Sequence, residues 1–237
     1  MVTTITAAST PVTLRRFPLT DAATVEAVAA SGHGDVHAHD PHATNTGISN
    51  EKLAMWAFLG SECLLFGGLI STFLLYKEKL ELFPEFKGRT INQFGAEIFD
   101  IPFTSVSSFV LLMSSLTMVL AVSSISRNDR TRAMVWTGAT ALLGSGFIAG
   151  QVYEFTAFYR EGLGYTTNIF SSAFYTLTGF HGVHVTIGIL LLLVMLNQLL
   201  RGKLHAGNAE KLEIVGLYWH FVDVVWVVIF AVVYLIP

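Results

Sequence analysis

Glu62, Glu154, His181, His184, His220 and Asp223 stand out because each ionisable side chain lies within a long apolar run. An ionisable group at membrane depth costs about 2.5–3.5 kcal/mol on insertion scales, so each needs a reason. Two reasons fit: a path for protons or ions, or a helix–helix hydrogen bond that fixes packing. His181 and His184 are three residues apart and share a helix face, as do His220 and Asp223. Asp223 could orient His220 or pair with a neighbouring helix. Glu62 sits near the middle of its run. Desolvation disfavours a carboxylate there, so Glu62 is expected to be protonated at neutral pH unless a cation or water reaches it. Proton handling and structural bonding both remain open for it.

The same histidines raise the question of haem or metal. Axial haem ligands approach from opposite sides of the ring, so two histidines on one helix face cannot supply both. Histidines on two helices could, as in a membrane cytochrome b arrangement. No His-Glu-x-x-His string and no cysteine-rich site is present. His33, His37, His39 and His42 lie with Asp35 and Asp40 in a polar stretch, which reads as solvated tail rather than a metal site. The single cysteine, Cys63, excludes an internal disulfide framework and reads as a small packing residue.

These residues are carried by five apolar segments, at about 53–76, 101–125, 133–158, 170–200 and 214–236. Each exceeds the roughly 20 residues that cross a ~30 Å hydrocarbon core as a helix. Water is absent there, so each span must satisfy its own backbone, which helices do and isolated strands do not. Composition agrees: of the 237 residues, 52% are hydrophobic and only 13% charged. Soluble domains carry about a quarter charged residues. The expected fold is all-α, a polytopic bundle of five transmembrane helices in residues 51–237.

Residues 1–50 are polar, and read as a mobile tail. The mildly apolar stretch Ala22 to Ala30 lacks the cationic start and cleavage site of a secretory signal. A net charge of −3 argues against nucleic acid as a partner. Glycines recur inside the spans, as Gly67-Gly68, as Gly144, Gly146 and Gly150, and as Gly179, Gly182 and Gly188. Small residues let helix backbones approach closely, so these read as packing surfaces.

Lys and Arg counts set the orientation. The side shared by the tail and the second and fourth loops holds Arg15, Arg16, Lys52, Arg127, Arg130, Arg132, Arg201, Lys203 and Lys211. The other side holds Lys77, Lys79, Lys87, Arg89 and Arg160. The richer side is expected to be cytoplasmic, with the N-terminus inside and the C-terminus outside.

Three strings carry a family resemblance. One is Phe180-His181-Gly182-Val183-His184-Val185. Another is Tyr218-Trp219-His220-Phe221-Val222-Asp223-Val224-Val225-Trp226. The third is Ser61-Glu62, following Met55-Trp56. Gln151-Val152-Tyr153-Glu154-Phe155 adds to them. Together, from about Asn50 to the C-terminus, they resemble subunit III of the haem–copper oxidases, in the shorter five-helix bacterial form.

The resemblance implies a subunit with no haem, copper or catalytic site of its own. Haem and copper are expected on partner subunits. Such a chain packs on subunit I, which reduces oxygen to water and pumps protons, in a complex that also holds subunit II. It supports proton uptake and protects the catalytic core. The family fold holds phospholipid in a cleft between two helix groups. Here two helices are missing, so another subunit would supply that wall. Glu62 matches the family's buried membrane glutamate. Glu154, His181, His184, His220 and Asp223 are implied to form structural polar contacts, with the last four holding the fourth and fifth spans in register. Trp56, Trp219 and Trp226 suit helix or lipid contact. The implied setting is a bacterial plasma membrane, with cytochrome c favoured over quinol as electron donor. A haem-binding anchor predicts haem on the isolated chain, and a small proton-coupled transporter predicts inverted repeats. No repeat is visible.

Overall fold

The structure, a computed structural model, describes residues 49–77, 101–160, 164–167 and 169–235. The expected tail with its four histidines, and the long connection over residues 78–100, lie outside the described residues. Five long helices follow in order: α1 (Asn50–Lys77), α2 (Ile101–Ser126), α3 (Arg130–Arg160), α4 (Ile169–Leu200) and α5 (Glu210–Phe230). A short 3₁₀ turn, Ala206–Asn208, precedes α5, and a π turn, Ala231–Leu235, continues it. All five are long and apolar enough to cross a membrane. With the π turn counted as part of α5, the ends fall within four residues of the sequence-derived spans.

Helices successive in the chain run in alternating directions. Asn128, with φ of 60°, closes the tight turn from α2 to α3. Gly202, with φ of 72°, ends α4 beside the Arg130 guanidinium. Arg130 donates to the carbonyls of Leu199 and Leu200 at 2.6 and 2.8 Å. A cation there meets the negative end of the α4 dipole and satisfies carbonyls the helix leaves unpaired.

α5 packs on α1, α2 and α4. Half of its apolar window is buried, against 17% for α1. At one end Lys52 of α1 pairs with Glu213 at 2.7 Å and Glu210 at 3.8 Å. At the other, the buried Lys77 ammonium donates to the Val232 carbonyl at 3.0 Å. The two contacts fix α1 and α5 as parallel.

Large apolar side chains face outward, Leu64 at 80% and Leu142 at 74% exposed, while Ser114, Thr137, Thr140 and His181 are wholly buried. That is the pattern of a bundle whose surroundings are as apolar as its core. Cys63 is exposed, so it is not a packing residue within this chain. Gly67 and Gly68 likewise face open space, and so do Gly146 and Gly179. Gly144 and Gly188 behave as the sequence suggested. A Cβ on Gly144 would stand 2.5 Å from the Trp219 ring, and one on Gly188 2.9 Å from it. Two glycines on different helices thus make the slot for one indole.

Candidate functional site

Glu62 lies twelve residues into α1, about 18 Å along its axis at 1.5 Å per residue. There its Oε2 meets His184 Nε2 of α4 at 3.1 Å. The other ring nitrogen, Nδ1, stands 2.8 Å from the Phe180 carbonyl, one helical turn back. A carbonyl only accepts, so Nδ1 carries a hydrogen. Two arrangements then remain for Nε2. A carboxylic acid donates to it, or an imidazolium donates to a carboxylate. Both place one proton between the two residues and leave the pair with no net charge, which is what a dry interior tolerates. Phe66 packs edge-on against His184 at 5.0 Å, and Tyr218 donates to the His184 carbonyl at 3.1 Å.

α5 presents its two buried tryptophans to α2. Trp219 Nε1 donates to Ser114 Oγ at 3.0 Å, and Trp226 Nε1 to Ser108 Oγ at 2.8 Å. Each serine donates onward to a carbonyl of its own helix, Ser114 to Leu111 and Ser108 to Thr104. Both tryptophans are therefore helix contacts, 1% and 2% exposed. Trp56 differs: it is 57% exposed and suits the membrane boundary.

His220 and Asp223 reach the same helix. His220 Nδ1 lies 2.6 Å from Ser115 Oγ, and Asp223 stands beside the same serine. Oδ1 of Asp223 is buried with no partner among the described residues. Farther along, buried Glu154 of α3 accepts from Thr104 of α2, with Tyr234 adjoining both. His181 is fully buried, yet neither ring nitrogen has a hydrogen-bond partner among the described residues. It stacks on Trp226 at 4.9 Å and meets Phe147 edge-on at 6.0 Å.

The polar residues thus divide differently from the expected α4–α5 network. Glu62 and His184 join α1 to α4. His220 joins α5 to α2, with Asp223 beside the same serine. Glu154 joins α3 to α2, and His181 takes no part in hydrogen bonding. The α4–α5 contact rests on Tyr218 with the His184 carbonyl, on Trp226 with His181 and on Trp219 against Gly188. The reason is reach: each group bonds the polar atom its face meets, whichever helix carries it. The partners Thr104, Ser108, Ser114 and Ser115 went unnoticed in the sequence. Their signal is present as hydroxyl residues recurring along one face of the second span.

Among the described residues no three His, Cys, Asp or Glu side chains converge as a metal site would require. His184 has both ring nitrogens engaged, and His220 has Nδ1 engaged. His181 is enclosed by aromatic rings. These arrangements count against a haem anchor built on the span histidines.

A family model described as cytochrome c oxidase subunit III matches residues 28–236. The chain belongs to the cytochrome c oxidase subunit III family. That match begins before Asn50 and takes in part of the polar stretch. Cytochrome c oxidase subunit 3 of Bacillus sp. (strain PS3) is 41% identical over 78% of this chain and 86% of its own length. Cytochrome bo(3) ubiquinol oxidase subunit 3 of Pseudomonas aeruginosa is 35% identical over 87% and 93%. Quinol oxidase subunit 3 of Bacillus subtilis (strain 168) is 37% identical over 86% and 95%. Within this subunit III chain, the quoted family strings supply Glu62, His184, Trp219, His220, Asp223 and Trp226, the residues through which the helices grip one another.

Proposed function

We propose that this chain is a non-catalytic accessory subunit of a proton-pumping terminal oxidase. It packs on catalytic subunit I, in a complex with subunit II, and supports proton uptake and stability there. The observation that carries the reading is the subunit III match across five spans, joined to a structure in which the span histidines serve helix contacts. Haem and copper belong to the partner subunits on this reading, and membrane lipid covers the exposed leucines.

The orientation follows from the charges. Lys52, Arg127, Arg130, Arg132, Arg201, Lys203 and Lys211 lie toward one end of the bundle. Lys77 and Arg160 lie toward the other. The richer end faces the cytoplasm of a bacterial plasma membrane.

Cytochrome c is the proposed electron donor, on the 41% identity to a cytochrome c oxidase subunit. A quinol is the second reading, because relatives at 37% and 35% are named for quinol oxidases. Purification through a tag on this chain tests both. Haem and copper should accompany the complex and be lost when the chain is stripped out alone. Oxygen consumption with reduced cytochrome c, but not with quinol, supports the first donor, and the reverse supports the second. Haem retained by the isolated chain would overturn the accessory reading.

A further inference from the structure

A cleft of about 500 Å³ opens between α1 and α2, floored by α5, and falls within the ~300–1,000 Å³ range of small-molecule sites. Lys52 and Glu213 pair at its mouth. Ser123, eight residues or about 12 Å along α2 from Ser115, lies at the same charged end. Beyond the mouth the walls are apolar, from Val119, Val122 and Leu217, with the Trp56 indole on the α1 side. Among the described residues one polar side chain lines this deeper part, His220, ten residues or about 15 Å along α5 from Glu210. That depth is close to the middle of a ~30 Å hydrocarbon core.

His220 is half-buried, and Ser115 Oγ holds its Nδ1 at 2.6 Å, which fixes the ring. Nε2 has no hydrogen-bond partner among the described residues. We propose that the cleft is a quinone site, in which an oxygen on a benzoquinone-type ring hydrogen-bonds His220 Nε2 and the ring lies against Trp56. Lys52 faces Glu213 and α1 runs parallel to α5, so Trp56, one turn beyond Lys52, is level with Leu217, about 4.5 Å short of His220 along the axis. A hydroxyl both donates and accepts, so Ser115 supports either neutral tautomer of His220. With Ser115 donating to Nδ1, Nε2–H donates to a quinone carbonyl. With Nδ1–H donating to Ser115, Nε2 accepts from a quinol hydroxyl. Both oxidation states are bound without a charge on the histidine, as apolar walls require.

Depth and polarity separate this ligand from a phospholipid. Phosphate and ester oxygens stay at headgroup level, beside Lys52 and Glu213, and an acyl tail offers His220 nothing to bond. Lys52 is already matched by Glu213 and Glu210, so the mouth does not call for an anionic headgroup. A quinone is apolar enough to enter from lipid and carries its oxygens on the ring that meets His220. Val119 is 51% exposed, so the cleft is open at the outer surface of the bundle, where an isoprenoid tail can leave it.

Binding to this chain is independent of the electron donor of the complex, which turnover decides. The test uses the intact complex, irradiated with a photoreactive azido-benzoquinone carrying a decyl tail, with labelled peptides mapped by mass spectrometry. Label should fall on this chain, in the peptides holding Trp56, Val119 or Leu217, and excess unlabelled decyl-quinone should remove most of it. Val119→Phe, a change at an outward position that fills the cleft, should cut this labelling to background, and His220→Phe should cut it several-fold. Label that excess phospholipid removes and excess quinone does not would mean a lipid tail in the cleft, and would overturn the site. Absence of label from these peptides, the result expected if a partner helix covers the cleft, would also overturn it. So would labelling unchanged in either variant, and Val119→Phe stays decisive if His220→Phe fails to assemble. Each of these outcomes leaves the subunit reading intact, because that reading is judged by co-purification with haem and copper.

Discussion

Glu62 and His184 meet across the α1–α4 interface at 3.1 Å, and the bond His184 makes to the Phe180 carbonyl leaves one proton for the two of them to hold. The pair thus needs a hydrogen between Nε2 and Oε2 more than it needs a charge. Glu62→Gln should keep the contact, since an amide N–H donates to Nε2, and retention of the subunit should be unchanged. Glu62→Ala should leave Nε2 unpaired and lower stability by about 1–3 kcal/mol. Thermal unfolding of the purified complex separates the two, and equal loss in both variants would show that the proton itself is required.

The slot around Trp219 makes a second prediction. Gly144→Ala puts a methyl group 2.5 Å from the ring, and overpacking of this kind costs about 1–3 kcal/mol. Gly67→Ala, with nothing within 4 Å, should leave the fold of this chain unchanged. Trp219→Phe should recover part of the Gly144→Ala loss in a double-mutant cycle, because the smaller ring vacates the slot. Absence of recovery would mean that the helices move apart instead.

Ser108→Ala should strand the Trp226 indole N–H between α2 and α5. In a membrane the unfolded chain also finds partners, so the expected loss is near the lower end for a buried group, about 1 kcal/mol. Trp226→Phe in the same background should remove the unpaired donor. Retention of this subunit during detergent washing reports both, and a Ser108→Ala complex as stable as the natural one would count against the serine contact.

Asp223→Ala should weaken the α2–α5 contact beside Ser115 and lower retention of the subunit. Because the partner helix is α2 and not α4, paired cysteines engineered across α2 and α5 should cross-link less well in this variant, while pairs across α4 and α5 should be unaffected. Loss confined to the α4–α5 pairs would restore the register role first expected of this residue.

Lys52 joins α1 to α5 at a partly exposed position, with side chains about one-third accessible on both partners. Solvent screening limits such a pair to about 0–1 kcal/mol. Lys52→Met should lower the unfolding temperature only slightly, and the difference should shrink as salt rises. A large, salt-independent loss would mean that Lys52 does more than bridge Glu210 and Glu213.

Several features were legible before any coordinates. Five runs longer than the hydrocarbon core dictated five helices, because an unpaired backbone is too costly in lipid for anything else. The density of family strings around Glu62, His181 and Trp219 dictated the subunit class. The ionisable residues inside the spans announced buried polar contacts, because lipid would not tolerate them bare.

The rotation of each helix was not legible, and rotation decides which residues meet. In a soluble bundle the apolar stripe marks the inner face. Here lipid is as apolar as the core, so Leu64 points outward while Ser114 and His181 point inward, and hydrophobic periodicity cannot tell the faces apart. Only the packed structure turned Cys63, Gly67 and Gly68 toward the outside, gave His184 to Glu62 rather than to α5, and placed Ser115 between His220 and Asp223. Sequence counts residues along one helix; a hydrogen bond between helices depends on how two of them are rotated and offset, and the packing of all five sets that together.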